Sequence, residues 1–183
     1  MRTTRFAALS VSAVFALAAC GGGDGAESHN SQDVSFAQGM IPHHRQAVEM
    51  ARLADGRASS SQVKDLAARV EKAQGPEIRT MSGWLKTWGE DVPSSMAGMD
   101  HSAHSGMAGM MDDADMGKLE KVSGKDFDSL FLTMMVEHHE GAVEMATAEK
   151  AKGEYKDATA MADSIVTTQN AEISEMRKLL GEK

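Results

Sequence analysis

Two adjacent histidine pairs, His43-His44 and His138-His139, each lie between methionines, Met40 and Met50 around the first and Met135 and Met145 around the second. Imidazole nitrogen and thioether sulfur both suit copper, and thioether selects the soft Cu(I) state over Mg²⁺ or Ca²⁺. The chain has one cysteine, Cys20, so neither a thiolate cluster nor an intrachain disulfide is available. Soft-metal chemistry therefore falls to Met and His. Neighbouring residues on a helix point about 100° apart, so an adjacent pair cannot belong to one narrow stripe. On a helical wheel His43 stands beside Met50 on one flank of the buried face. Met40 stands beside His44 on the other, and the small Ala47 and Ala51 lie between. The second set repeats this with His138 and Met145, and with Met135 and His139. Each helix can thus supply ligands to two places.

The repetition extends well beyond the histidines. "GMIPHHRQAVEMA" from Gly39 recurs 95 residues later as "MMVEHHEGAVEMA" from Met134, and the same offset pairs Phe36 with Phe131. Downstream it pairs Gln74 with Gln169, Glu77 with Glu172, Ile78 with Ile173, Met81 with Met176 and Leu85 with Leu180. Two motifs in one frame identify an internal duplication. Glu77 and Glu172 are candidates to orient a ligating imidazole through its other nitrogen, the alternative being a helix-packing hydrogen bond. Glu49 and Glu144 fall opposite the buried stripe and are expected in solvent. Met81, Met161 and Met176 are expected as core packing.

Scarce aromatics and abundant Ala, Glu, Lys, Met and Leu predict helix throughout. Each half reads as two helices. The first pair runs from Asp33, taken as a cap, to about Ala54, where Gly56 offers a stop, and from about Asp126 to Lys152. The second pair runs from about Ser60 to Trp88 and from Tyr155 to Leu180. The expected fold class is all-α, an antiparallel four-helix bundle built from two duplicated helical hairpins. The expected organisation is a domain over 33–180, with repeats over 33–90 and 123–180. Pro42, standing where the second repeat has Glu137, and Pro76 should bend their helices.

Between the repeats, residues 91–117 form a Gly- and Ser-rich linker with a short helix expected from about Asp113 to Val122. It concentrates Met96, Met99, His101, His104, Met107, Met110 and Met111. A solvated spacer would explain the glycines, but not the methionines, which pack against nothing in a linker. Surface capture of soft metal ions is the expectation.

At the N-terminus two arginines precede an apolar run that ends in "LAAC", which reads as an export signal over 1–19 with Cys20 as the lipidated first mature residue. The run is short for a bilayer span. Polar, Gly-rich residues 20–32 read as a flexible tether. The expected location is the outer face of the cytoplasmic membrane, or the periplasm. The formal charge of −8 argues against nucleic acid and mildly favours cations.

The chain resembles the family catalogued as domain of unknown function 305, marked by Met, two residues, His-His, five residues, Met. Met40-His43-His44-Met50 and Met135-His138-His139-Met145 both match this pattern. The resemblance implies a ferritin-like four-helix bundle, exported, with members tied to copper binding and copper resistance. A ferritin-like fold also raises a di-iron enzyme, but that chemistry wants inward carboxylates and Glu-x-x-His. Glu137 is followed three residues on by Glu140, and Pro42 replaces the corresponding carboxylate. No nucleophilic triad, phosphate loop or dinucleotide glycine pattern is present.

The expected function is therefore a non-enzymatic lipoprotein that binds copper, Cu(I) above all, for sequestration or trafficking. The rival is a structural or partner-binding bundle without metal. Expected partners are metal ions, the membrane through Cys20, and a second copy or an envelope copper-handling protein. Because imidazole must be neutral to ligate, affinity is expected to fall below about pH 6.5.

Overall fold

The computed structural model describes residues 28–94 and 107–182. Five helices carry almost all of the described chain: α1 (Ser31–Arg57), α2 (Ser61–Trp88), α3 (Asp113–Leu119), α4 (Gly124–Lys152) and α5 (Lys156–Leu180). Cys20, the expected export signal and most of the expected tether lie outside the described residues, as do Met96, Met99, His101 and His104. Among the described residues no helix is long and apolar enough to cross a membrane.

The N-terminus of α1 differs from the expectation. Asn30, not Asp33, is the cap: its side chain accepts from the N–H groups of Gln32 and Asp33, and Asp33 accepts in return from the N–H of Asn30. This reciprocal pair satisfies donors that the first turn cannot bond internally. Gly56 does not stop α1, which also runs through Pro42 without a break. The buried face around Pro42, from Met40 to Ala47, offsets the one missing backbone donor. The helices α2 and α5 each end at a glycine. Gly89 and Gly181 take φ of 77° and 83° and return their N–H groups to the last carbonyls of α2 and α5.

The helices α1 and α2 form one hairpin and α4 and α5 the other, joined chiefly through α1 and α4. Asn30, before α1, donates its side-chain N–H to the carbonyl of Lys152 at the end of α4, so these two helices run antiparallel. The apolar core lies in two clusters. One holds Met50, Leu66, Val70, Phe127, Phe131 and Met135 near α3; the other holds Met40, Met81, Leu85, Ala142 and Ile165. Burying each large side chain contributes about 1.5–3 kcal/mol. The four histidines fall between the clusters along α1 and α4, where the apolar stripe is interrupted.

The two hairpins cap each other. Asp33 on α1 accepts from the N–H groups of Glu154 and Tyr155 at the start of α5, at 3.0–3.2 Å. Asp128 on α4, 95 residues on, accepts from the N–H groups of Ser59 and Ser60 at the start of α2 and from the Ser59 hydroxyl. A helix N-terminus attracts negative charge, so each first helix supplies the carboxylate that starts the other hairpin's second helix. Asp33 also faces Glu149. Burial, then the neighbouring Asp33 carboxylate, push the Glu149 carboxyl up to about 8, so it carries a proton at neutral pH. Burial works to raise Asp33 as well, but the neighbouring Glu149 carboxyl and hydrogen bonds from the main chain outweigh it and hold it below its ordinary value.

Candidate metal centre

Where α1 meets α4, the first histidine of each pair meets its counterpart. The rings of His43 and His138 lie with centroids 3.8 Å apart and planes tilted by 41°. All four histidines are at most 1 % exposed. The second histidine of each pair turns to the neighbouring helix. His44 Nε2–H donates to Glu77 on α2 at 2.7 Å, and His139 Nε2–H donates to Glu172 on α5 at 2.8 Å. His43 Nε2–H donates to the carbonyl of Ala108 at 3.2 Å.

These acceptors decide the chemistry of the rings. A carbonyl only accepts and a carboxylate draws a donor, so Nε2 carries the hydrogen in His43, His44 and His139, and in a neutral ring Nδ1 then carries the bare lone pair. In all four histidines Nδ1 is buried without a hydrogen-bond partner. His138 has no well-formed hydrogen bond at either nitrogen, its ring facing the imidazole and main chain of His43. A buried polar atom left unsatisfied costs about 1–3 kcal/mol. Neutral imidazoles with bare nitrogens, steered by oxygen acceptors on the far side, are the usual form of metal-ready histidine.

Burial, followed by the neighbouring His44, depresses the His43 pKa to about 3, although its bond to Ala108 works the other way. Burial and then His43 hold His138 well below 6.5. The central pair therefore stays neutral far into acid. The helical wheel could not show this, because burial arises only when the helices pack.

Glu77 and Glu172 border a narrow cleft between α2 and α5 with Gln74, Ile165 and Gln169. Their side chains keep 24 % and 12 % exposure, so both carboxylates touch solvent while holding a buried ring. Both the orienting role and the helix-packing alternative require these bonds. Glu49 and Glu144 are exposed, as expected.

The methionines divide. Met40, Met50 and Met135 are fully buried, with Met40 in one core cluster and Met50 and Met135 in the other, while Met145 is partly exposed. Met107 and Met145 bring their sulfurs within 4.0 and 3.5 Å of the point where a side chain on Gly39 would begin. The expectation of surface capture fails for Met111. It is buried, and Gln46 grips its main chain, donating to its carbonyl and accepting from its N–H, both at 2.8 Å. Met116 is buried as well. The described end of the linker thus buries Met111 and Met116 against the bundle. Met107 and Met110 are partly buried.

Gln46, Ala108 and Gly141 were not legible as site residues. A signal existed nonetheless: Gln46 and Gly141 are the same repeat position, as are Gly39 and Met134, and at both the halves disagree. Among the described residues no three His, Cys, Asp or Glu side chains converge to hold a metal ion, so a complete ligand set here would draw on thioethers.

The family model described as Domain of unknown function (DUF305) matches residues 33–180. Among solved structures, a DUF305 protein from Streptomyces coelicolor is 35 % identical, covering 84 % of this chain and 96 % of that one, with a TM-score of 0.74. A DUF305 fragment from Deinococcus radiodurans is 29 % identical, covering 84 % and 97 %, with a TM-score of 0.74. CopM in its Cu(II)-bound form is 33 % identical, covering 81 % and 95 %, with a TM-score of 0.71, and CopM is also solved with Cu(I), with silver and in the apo form. No curated protein matches the chain.

Proposed function

The chain belongs to the DUF305 family, and from that premise we propose that it binds copper as cargo, with Cu(I) preferred, and holds or passes it on without turnover. The observation that carries this reading is the set of four buried Nδ1 atoms without partners, on rings whose Nε2–H groups in three cases already donate to oxygen. Such nitrogens suit a metal ion better than a second hydrogen bond. The ligands proposed are His43, His44, His138 and His139, with thioethers drawn from Met40, Met50, Met135 and Met145. Thioether favours Cu(I) and Ag(I) over hard cations. CopM, a neighbour solved with copper in both oxidation states and with silver, supports copper as the cargo.

Export and a lipid anchor at Cys20 belong to the proposal. A relative whose name makes it a candidate secreted protein supports export. A carrier tethered by Cys20 would meet metal outside the cytoplasm and hand it to a membrane partner or a second copy.

The test is copper titration of the purified chain against a variant with all four histidines changed to Ala. Wild type should bind Cu(I) tightly, and the variant should lose that affinity while keeping its helical content. Unchanged stoichiometry and affinity would refute the bundle site. Metal analysis after purification without chelator separates this reading from iron chemistry.

A further inference from the structure

The segment Met107–Met111 crosses the α1–α4 face as a strap, and it is held at three places by residues at which the repeats diverge. Gly141 admits it: a methyl group there would stand 1.9 Å from the Ala108 oxygen and 2.5 Å from its carbon. Gly109 in the strap, at φ +77°, lies so close to α4 that a methyl group on it would stand 2.5 Å from the Glu137 carbonyl. Gln46 grips the far end by two hydrogen bonds to Met111. Gly39 leaves the opening into which Met107 and Met145 direct their sulfurs, where the other repeat carries Met134.

We propose that this strap is a positioning element for the metal centre, the carbonyl of Ala108 holding His43 in the tautomer with hydrogen on Nε2 and its Nδ1 lone pair free. The inference deepens the copper reading but has a readout independent of it. Glu77 and Glu172 perform the same service for His44 and His139 from within the bundle. No side chain does so for His43; the linker supplies a backbone oxygen instead. His138, whose Nε2 lacks such an acceptor, is the one ring of the four left without it. The bond to Ala108 spans 65 residues and exists only while the strap is docked. Docking therefore converts a symmetric pair of imidazoles into two inequivalent ones and brings the Met107 thioether, with that of Met145, to Gly39 on α1.

The test uses the full chain and the variants Gly141→Ala and Gln46→Ala, which act on opposite ends of the strap. Gly141→Ala replaces glycine by the best helix former, so α4 is retained. Nitrogen-15 NMR of the imidazoles separates the two tautomers. In wild type His43, His44 and His139 should all show hydrogen on Nε2. In both variants His43 should lose that signature while His44 and His139 keep theirs. Silver ion alone, added to each protein, should bind about ten-fold more weakly to the variants, the usual cost of removing an outer acceptor. An Nδ1–H tautomer of His43 in wild type, or an unchanged signature in both variants, overturns the inference. A strap that merely stabilises the fold would lower the melting temperature without moving the tautomer. A tautomer change in protein that takes up no silver leaves the positioning role standing and refutes the copper reading.

Discussion

His43 and His138 meet ring to ring, 3.8 Å between centroids, although 95 residues separate them in the chain. Neither is balanced by a carboxylate, and burial keeps both neutral. A buried neutral pair is costly to a folded protein unless something takes up its free nitrogens.

Ligand binding should stabilise the fold. A species that binds the folded state alone adds about 2.7 kcal/mol at one hundred times its Kd. Thermal denaturation with and without silver should show a raised melting temperature in wild type and none in the variant lacking all four histidines. Equal shifts in both would place the bound metal elsewhere.

Changing Glu77 and Glu172 to Gln keeps the size of each side chain and removes the charge that makes each ring a better ligand. Metal affinity should fall about ten- to a hundred-fold, with helicity by circular dichroism unchanged. Competition with a chromogenic chelator measures it, and an unaltered affinity would make both pairs packing interactions only.

The reciprocal caps should be worth measuring singly and together. Asp33→Asn and Asp128→Asn each remove the charge that accepts from a helix start on the other hairpin, at about 1–2 kcal/mol each. The two sites cap opposite hairpins and share no partner, so the double variant should be close to additive in urea unfolding.

Stability should decline as pH rises from about 4.5 to about 8. Glu149 has its folded pKa raised from 4.5 to about 8, so the folded state holds a proton that the unfolded state has lost. Stability is then fully present below 4.5 and is lost as pH rises through 8. The depressed His43 acts in the opposite sense between 6.5 and about 3, where the unfolded state binds the proton instead. Glu149→Gln should flatten the alkaline limb and leave the acid limb in place. A pH profile of urea midpoints for both proteins decides it.

Much of the architecture was legible because helix and its ends depend on neighbours. The glycines at 89 and 181 end their helices as the local pattern requires. The Asp33 cap was misplaced, since a nearby Asn30 competes for the same role and only geometry chooses between them. The pairing of Glu77 and Glu172 with inward histidines was also legible, because it recurs 33 residues from each histidine it holds.

By itself the sequence determined the duplicated helical pattern, the four histidines and their methionines, since these are matters of residue type and spacing along one chain. Only the tertiary structure decided that His43 faces His138, that Asp33 and Asp128 cap across hairpins, and that a linker carbonyl occupies the Nε2–H of His43. Each of these joins residues far apart in sequence. Such contacts are set by which faces pack and by how closely a Gly141 backbone lets another segment approach, and no single-helix periodicity carries that information.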